Sequence, residues 1–316
     1  MITRGITRIG GQSVDTAHLR AGDMEVTLLS YGALTTGWIV GERNIVLGYD
    51  DPTDYATDPY YHGTICGRVA NRIRHGRFPF AGGEVQLPLN HGPNVLHGGP
   101  ERLTTRHWQI EADTAANTVR LSYTSPDGES GFPGRAAFEY LVTLTETALI
   151  YDMRAEVDRP TPINLAQHNY YNLNGGGEIW DHVLSIPAER YLVAGDDLIQ
   201  TGEIAPVDGT RFDFREARSI GAADPDRTGI DGCVVLESGA PGAVLSVPGG
   251  PVLSFFTDQP GMHVYNSNTL GAPFAPFTAV CLEPEGFPDA VNHPDFPSQV
   301  VTPEAPYRQK LTIEVA

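Results

Sequence analysis

Near the C-terminus of this 316-residue chain a carboxylate ends an apolar run: Glu283, in Cys281-Leu282-Glu283-Pro284-Glu285-Gly286-Phe287-Pro288-Asp289-Ala290. Residues 277–282 read as a buried strand, and the Pro/Gly-rich turn after them reads as rigid loop backbone. A carboxyl group held there is desolvated, which raises its pKa toward neutrality and suits it to proton transfer. By itself Glu283 reads first as a polar strand end, so its partners elsewhere decide its meaning.

An imidazole is the first partner to look for. His168 lies in Asn164-Leu165-Ala166-Gln167-His168-Asn169-Tyr170-Tyr171-Asn172, where amides and tyrosines crowd one ring. Such neighbours can fix a ring's orientation and tautomer. His97 precedes Gly98 and Gly99, which allow a sharp turn and leave room beside the ring, although a loop histidine is often only a turn residue. Asn71, Arg72 and Arg74 belong to a tract, 67–78, that also holds Arg68 and Arg77. That tract is either a solvated strand–turn–strand or a guanidinium aimed into a cleft to grip oxygen atoms. Asp231, in Gly229-Ile230-Asp231-Gly232, has the setting of a turn aspartate. His263 and Tyr265 alternate outward from a short strand.

Much chemistry is absent from this set. The chain has no Gly-x-Ser-x-Gly elbow, no His-Glu-x-x-His and no Gly-x-Gly-x-x-Gly opening a βαβ unit, and 67–78 lacks the phosphate-loop pattern. Its only lysine, Lys310, sits in an alternating terminal segment, which argues against Schiff-base catalysis. Cys66, Cys233 and Cys281 are odd in number and form no Cys-x-x-Cys, so neither a disulfide framework nor a structural zinc site is expected. The formal charge of −18 repels nucleic acid and anionic membrane surfaces. No segment approaches the roughly 20 apolar residues of a membrane span, and the N-terminus lacks a long apolar core; a cytoplasmic protein is expected. What remains is a carboxylate, two or three histidines, an arginine and amides. That kit suits acid–base work on a neutral polyol, with no metal or redox cofactor.

The elements that must hold these groups are strands. The chain carries 35 glycines and 25 prolines, spread along its length, well above the roughly 12 % of ordinary globular chains. Period-2 alternation runs through 119–124, 149–157 and 311–315, the mark of strands with one buried face. Turn signals such as Ser125-Pro126-Asp127-Gly128 and Pro248-Gly249-Gly250-Pro251 separate them. Helical windows are scarce, with one short turn expected at 215–220. With no repeat and no compositional break, residues 1–316 read as one all-β domain.

Taken together, Gly67-Arg68-Val69-Ala70-Asn71-Arg72-Ile73, Leu96-His97-Gly98-Gly99, the His168–Leu173 stretch and Leu282-Glu283 with Pro288-Asp289-Ala290-Val291-Asn292 occur in an order that resembles the aldose 1-epimerase (galactose mutarotase) family, from near the start of the chain to its end. The resemblance implies a large antiparallel β-sandwich of the galactose mutarotase-like supersandwich type, acting on a small neutral monosaccharide without a cofactor. Carried across, it makes Glu283 the general base and His168 the general acid, opening the sugar ring so that it recloses as the other anomer. It places His97 and Arg72 near the ring oxygen and hydroxyls, and Asn71, Tyr170, Asp231 and His263 around the remaining sugar. Four departures surround the implied pocket: Gly232-Cys233 after Asp231, Glu285 in place of glutamine, His263 in place of glutamine, and Arg102–Thr105 after the Leu-His-Gly-Gly motif. The competing expectations are an epimerase for phosphorylated hexoses with Arg74 or Arg102 at the rim, a glycosidase using Glu283 with Asp231, and a non-catalytic sugar-binding protein.

Overall fold

The structure, a computed structural model, describes residues 1–237 and 241–316. Among these residues the three largest sheets have nine, six and five strands, with every strand pair in them antiparallel. The alternation seen in the sequence explains the nine-stranded sheet. Leu149, Tyr151, Met153, Ala155 and Val157 in the strand Ala148–Val157 are all buried, and they are in register with the buried positions of Ala136–Leu144. The C-terminal strand Tyr307–Val315 pairs with the other edge of Ala148–Val157 and buries Leu311 and Ile313. One core cluster joins these side chains to Val26, Leu28 and Trp38 of the five-stranded sheet and to Val264, Val280 and Leu282 of the six-stranded sheet. A β-sandwich therefore exists because each sheet offers one apolar face and the faces close on each other.

The expected short helix lies slightly later, at Ile220–Ala223, with the Ser219 hydroxyl accepting from Ala222 N–H at its start. The preceding Arg218–Ser219 is taken by pairing with Val183–Ser185, so the backbone cannot turn into a helix sooner.

The arginine-rich tract resolves into different jobs. Arg68 is 3 % exposed and donates five hydrogen bonds, to Ser125 Oγ, Ser125 O, Pro126 O, Pro133 O and Gly134 O. All five guanidinium donors are thus spent on one turn region, which is pinned beneath the loop that carries Asn71 and Arg72. Burial lowers the Arg68 pKa to about 10. Gly98 completes the junction: its φ is 88°, and a Cβ there would collide with the Gly67 carbonyl. Replacing Arg68 by Met strands those carbonyls, and urea denaturation should show a loss of about 2–4 kcal/mol.

Candidate active site

Strand periodicity builds one wall of the site. In Val280–Glu285, Val280 and Leu282 enter the core, so Cys281, Glu283 and Glu285 face the other way. In Gly261–Tyr265 the same rule sends Met262 and Val264 inward and leaves His263 and Tyr265 beside those acids. Register places Glu283 opposite His263, Cys281 between Tyr265 and Tyr170, and Asp231 opposite Tyr265. Asp231 thus opens the strand Asp231–Val235, where the sequence suggested a turn. His263 and Tyr265 are buried, so their outward face is a cavity wall and not bulk solvent.

Loops build the opposite wall. Asn71 and His97 both adopt left-handed backbone, with φ of 62° and 49°, and they are tied to each other. His97 N–H donates to Asn71 O at 2.9 Å, and Asn71 N–H donates to His97 Nδ1 at 3.1 Å. Because Nδ1 accepts, the neutral His97 ring carries its proton on Nε2. His168 is held by its backbone, which donates to Thr64 O and accepts from Gly63 N–H. Between these walls lies a cavity of about 600 Å³ lined by Asn71, Arg72, His97, His168, Tyr170, Asp231, His263 and Glu283, so the eight residues that the resemblance assigns to catalysis and sugar binding meet in one place.

The geometry at its floor is that of an acid–base pair. Glu283 Oε2 lies 3.6 Å from His168 Nε2, and both residues are buried. Burial pushes Glu283 up to about 8, with the charges of Glu285 and Asp231 adding to it and those of His263 and Arg72 opposing. Burial pushes His168 down to about 3, helped by His62. The pair therefore holds one proton near neutrality, and burial favours its resting on Glu283. His97 is held well below its ordinary value by burial and by neighbouring His168 and Arg72. Burial would lower His263 too, but the hydrogen bond its Nε2–H donates to Asp231 Oδ1 at 2.7 Å, together with nearby carboxyls, carries it to about 9. Asp231 stays below its usual range, since the His263 hydrogen bond and the charges of His263 and Arg72 outweigh its own burial.

Several sequence expectations need refining. The amides around His168 do not touch its ring. Gln167 and Asn169 point the other way, into a buried network with Tyr140, Tyr151 and Tyr171. The ring's own company is Cys281 Sγ, 3.7 Å from Nδ1, and the rings of His97 and Tyr170 at 5.4 and 5.1 Å. Tyr170 donates its hydroxyl to Tyr60 O at 2.8 Å, so it offers the cavity chiefly a ring face. Arg74 is exposed and outside the cavity, whereas Arg102 lines it, with its guanidinium 4.9 Å over the Tyr61 ring. Cys233 packs with Leu192, Val235 and Phe287 and does not line the cavity. Sequence reasoning missed Tyr61, whose ring meets His97 edge-on at 4.6 Å, and also His91 and Leu198; no local pattern marks them. His168, Cys281 and Glu283 bring ligand-type atoms within 4.8 Å of one another. Cys281 and Glu283, however, approach opposite nitrogens of the ring, which suits a hydrogen-bonded row and not a chelate.

Comparison with known proteins agrees with this geometry. A family model described as Aldose 1-epimerase matches residues 15–314. The chain is 36 % identical to a galactose mutarotase of Mus musculus, over 94 % of this chain and 93 % of that protein. It is 34 % identical to an aldose 1-epimerase of Escherichia coli strain K12, over 87 % and 86 %. Among solved structures, the GalM/aldose epimerase homologue from C. elegans superposes with a TM-score of 0.91 at 27 % identity, covering 96 % of this chain and 99 % of that one. The galactose 1-epimerase of Lactobacillus acidophilus also gives 0.91, at 25 % identity over 100 % and 98 %.

The protonation pattern is directly measurable. In nitrogen NMR of the histidines, His97 and His168 should stay neutral from about pH 8 down to about pH 5. The His97 proton should be found on Nε2; either ring titrating near its ordinary value would contradict the desolvated site.

Proposed function

The chain belongs to the aldose 1-epimerase family and interconverts the α and β anomers of a free aldose; from that premise we propose that Glu283 and His168 carry the two proton transfers. The observation that bears this reading is the 3.6 Å contact between Glu283 Oε2 and His168 Nε2 at the floor of the cavity. The anomeric hydroxyl donates to Glu283, and a hydrogen bond to the carboxylate favours its charged form. The pair's single proton then resides on His168. Glu283 takes the hydroxyl proton as the C1–O5 bond opens, and His168 gives its proton to the ring oxygen. Rotation about C1–C2 turns the aldehyde, and closure from the other face runs the transfers backward. Each group contributes about 10²–10⁴-fold.

The other residues hold the sugar. His97 offers Nε2–H as a fixed donor, and Arg72 supplies a guanidinium whose Nε has no protein partner. Asp231, kept ionised, accepts from hydroxyls; Asn71 and His263 shape the wall between them, and Tyr170 packs a ring against the sugar. Galactose or glucose is the substrate we favour, which the names of the relatives support. We read residues 1–316 as one domain, since the main core draws on residues from Ala17 to Ile313. Among the described residues no helix is long and apolar enough to cross a membrane. The cytoplasmic placement we favour is supported by three buried, unpaired thiols. A phosphorylated hexose is the second reading, favoured by Arg102 at the cavity wall and opposed by the net charge of −18.

Polarimetry of freshly dissolved α-sugars tests the assignment. Glu283→Gln and His168→Gln should each lower kcat by about 10²–10⁴-fold with little change in KM; wild-type rates in both would remove these residues from the mechanism. A panel of galactose, glucose, arabinose, xylose, fucose and glucose 6-phosphate should show turnover of the free hexoses and little of the phosphate ester. For the wild type, kcat/KM should fall as pH rises through about 8, where Glu283 loses the pair's only proton.

A further inference from the structure

Glu285 is 1 % exposed and does not line the cavity, yet it lies two residues from Glu283 on the same strand face. Its Oε1 accepts from Asn71 Nδ2 at 3.1 Å, and its Oε2 accepts from Asn164 Nδ2 at 3.4 Å. Asn71 Nδ2 also meets His263 Nδ1 at 3.1 Å, and His263 Nδ1 is 3.8 Å from Glu285 Oε1. The other His263 nitrogen is bound to Asp231. A continuous hydrogen-bonded row thus runs Asp231, His263, Asn71, Glu285, beside Glu283, which sits in register with His263.

The orientation of Asn71 fixes how this row can hold a proton. Its Oδ1 accepts from Arg72 N–H at 2.9 Å, so its amide nitrogen must face His263 and Glu285. One amide hydrogen goes to Glu285; the other meets His263 Nδ1 only when that nitrogen is unprotonated, and in the imidazolium that Asp231 favours Nδ1–H faces Glu285 Oε1, 3.8 Å away. A proton added at His263 Nδ1 finds Glu285 as its nearest carboxyl, and one removed leaves Asn71 to fill the gap. The row therefore sets His263 and Glu285 facing each other across the Asn71 amide.

We propose that Glu285, behind the pocket wall, and His263, in that wall, form an Asn71-bridged counter-charge pair that sets how tightly Glu283 holds its proton. Glu285 is a positioning residue, acting on Glu283 without touching the sugar. Other groups around the two acids are poor regulators. Arg72 is a fixed charge, and Asp231 is held ionised by its partners. His168 is held neutral by burial. The thiols of Cys66, Cys233 and Cys281 and the Tyr170 phenol are pushed up by burial and stay protonated. Only Glu285 and His263 remain poised, one raising the proton affinity of Glu283 and the other lowering it.

This inference rests on Glu283 being the catalytic base, and the test separates the two. The pH dependence of kcat/KM is measured for wild type, Glu283→Gln, Glu285→Gln, His263→Gln and the Glu285→Gln/His263→Gln double variant. Removing the Glu285 charge weakens the hold of Glu283 on its proton, so the alkaline limb should move down by about half a unit or more. Removing the His263 charge should move it up by a similar amount, and the double variant should return toward wild type. A merely structural role lowers kcat or raises KM in both singles without opposite displacements of the limb. Unshifted limbs, or shifts of one sign, alongside an inactive Glu283→Gln overturn the counter-charge pair alone. An active Glu283→Gln overturns the base assignment on which it rests.

Discussion

The governing constraint is the cost of placing ionisable groups on the inner face of a strand. Glu283 and Glu285 share one buried face of Val280–Glu285, and neither can keep a full negative charge there without help. What surrounds them is understandable as that help: an imidazole across the strand pair, amides from two separate loops, and an arginine at the cavity edge. The loops themselves must be fixed for this to work. Arg68, fully committed to five turn oxygens, is the clearest case of structure spent on holding the wall that faces the acids.

A second consequence follows for the pair at the floor. Burial by itself puts the shared proton on the carboxyl and not on the imidazole. This is the distribution reached after ring opening, when the base has just taken a proton and the acid has just lost one. The free site thus matches the open-chain aldehyde in its charges, and it is the cyclic sugar that must redistribute the proton on arrival. Opening and closing then differ only in direction, as an interconversion of anomers requires.

Sequence reasoning was strong where chemistry and periodicity coincide. Alternating strands gave the all-β fold, and His168 stood out by its crowd of amides and tyrosines, whereas Glu283, His97 and Asp231 read locally as a strand end and turn residues and gained their roles only from the order of motifs along the chain. It was weaker where the decisive fact is a contact across the fold. Asp-Gly at 231–232 reads as a turn because local propensity favours one, but pairing with Gly261–Tyr265 makes it a strand start. Arg68 and Arg72 are four positions apart in one tract, and only three-dimensional packing tells the structural clamp from the cavity residue. The amides beside His168 looked like its partners; the twofold period of the backbone sends them to the opposite side, to Tyr140 and Tyr151. Tyr61 and His91 reach the cavity from segments with no distinguishing pattern.

The buried contact between Glu283 and His168 also bears on where the reacting protons come from. Two groups 3.6 Å apart and almost closed to solvent can complete a cycle of opening and reclosure with the same proton they began with. Such a site works as a closed circuit: its total charge is the same before, during and after turnover, and it needs no buffer molecule to reset it. At a fixed pH its rate is then independent of buffer concentration to a degree that an exposed acid–base pair could not match.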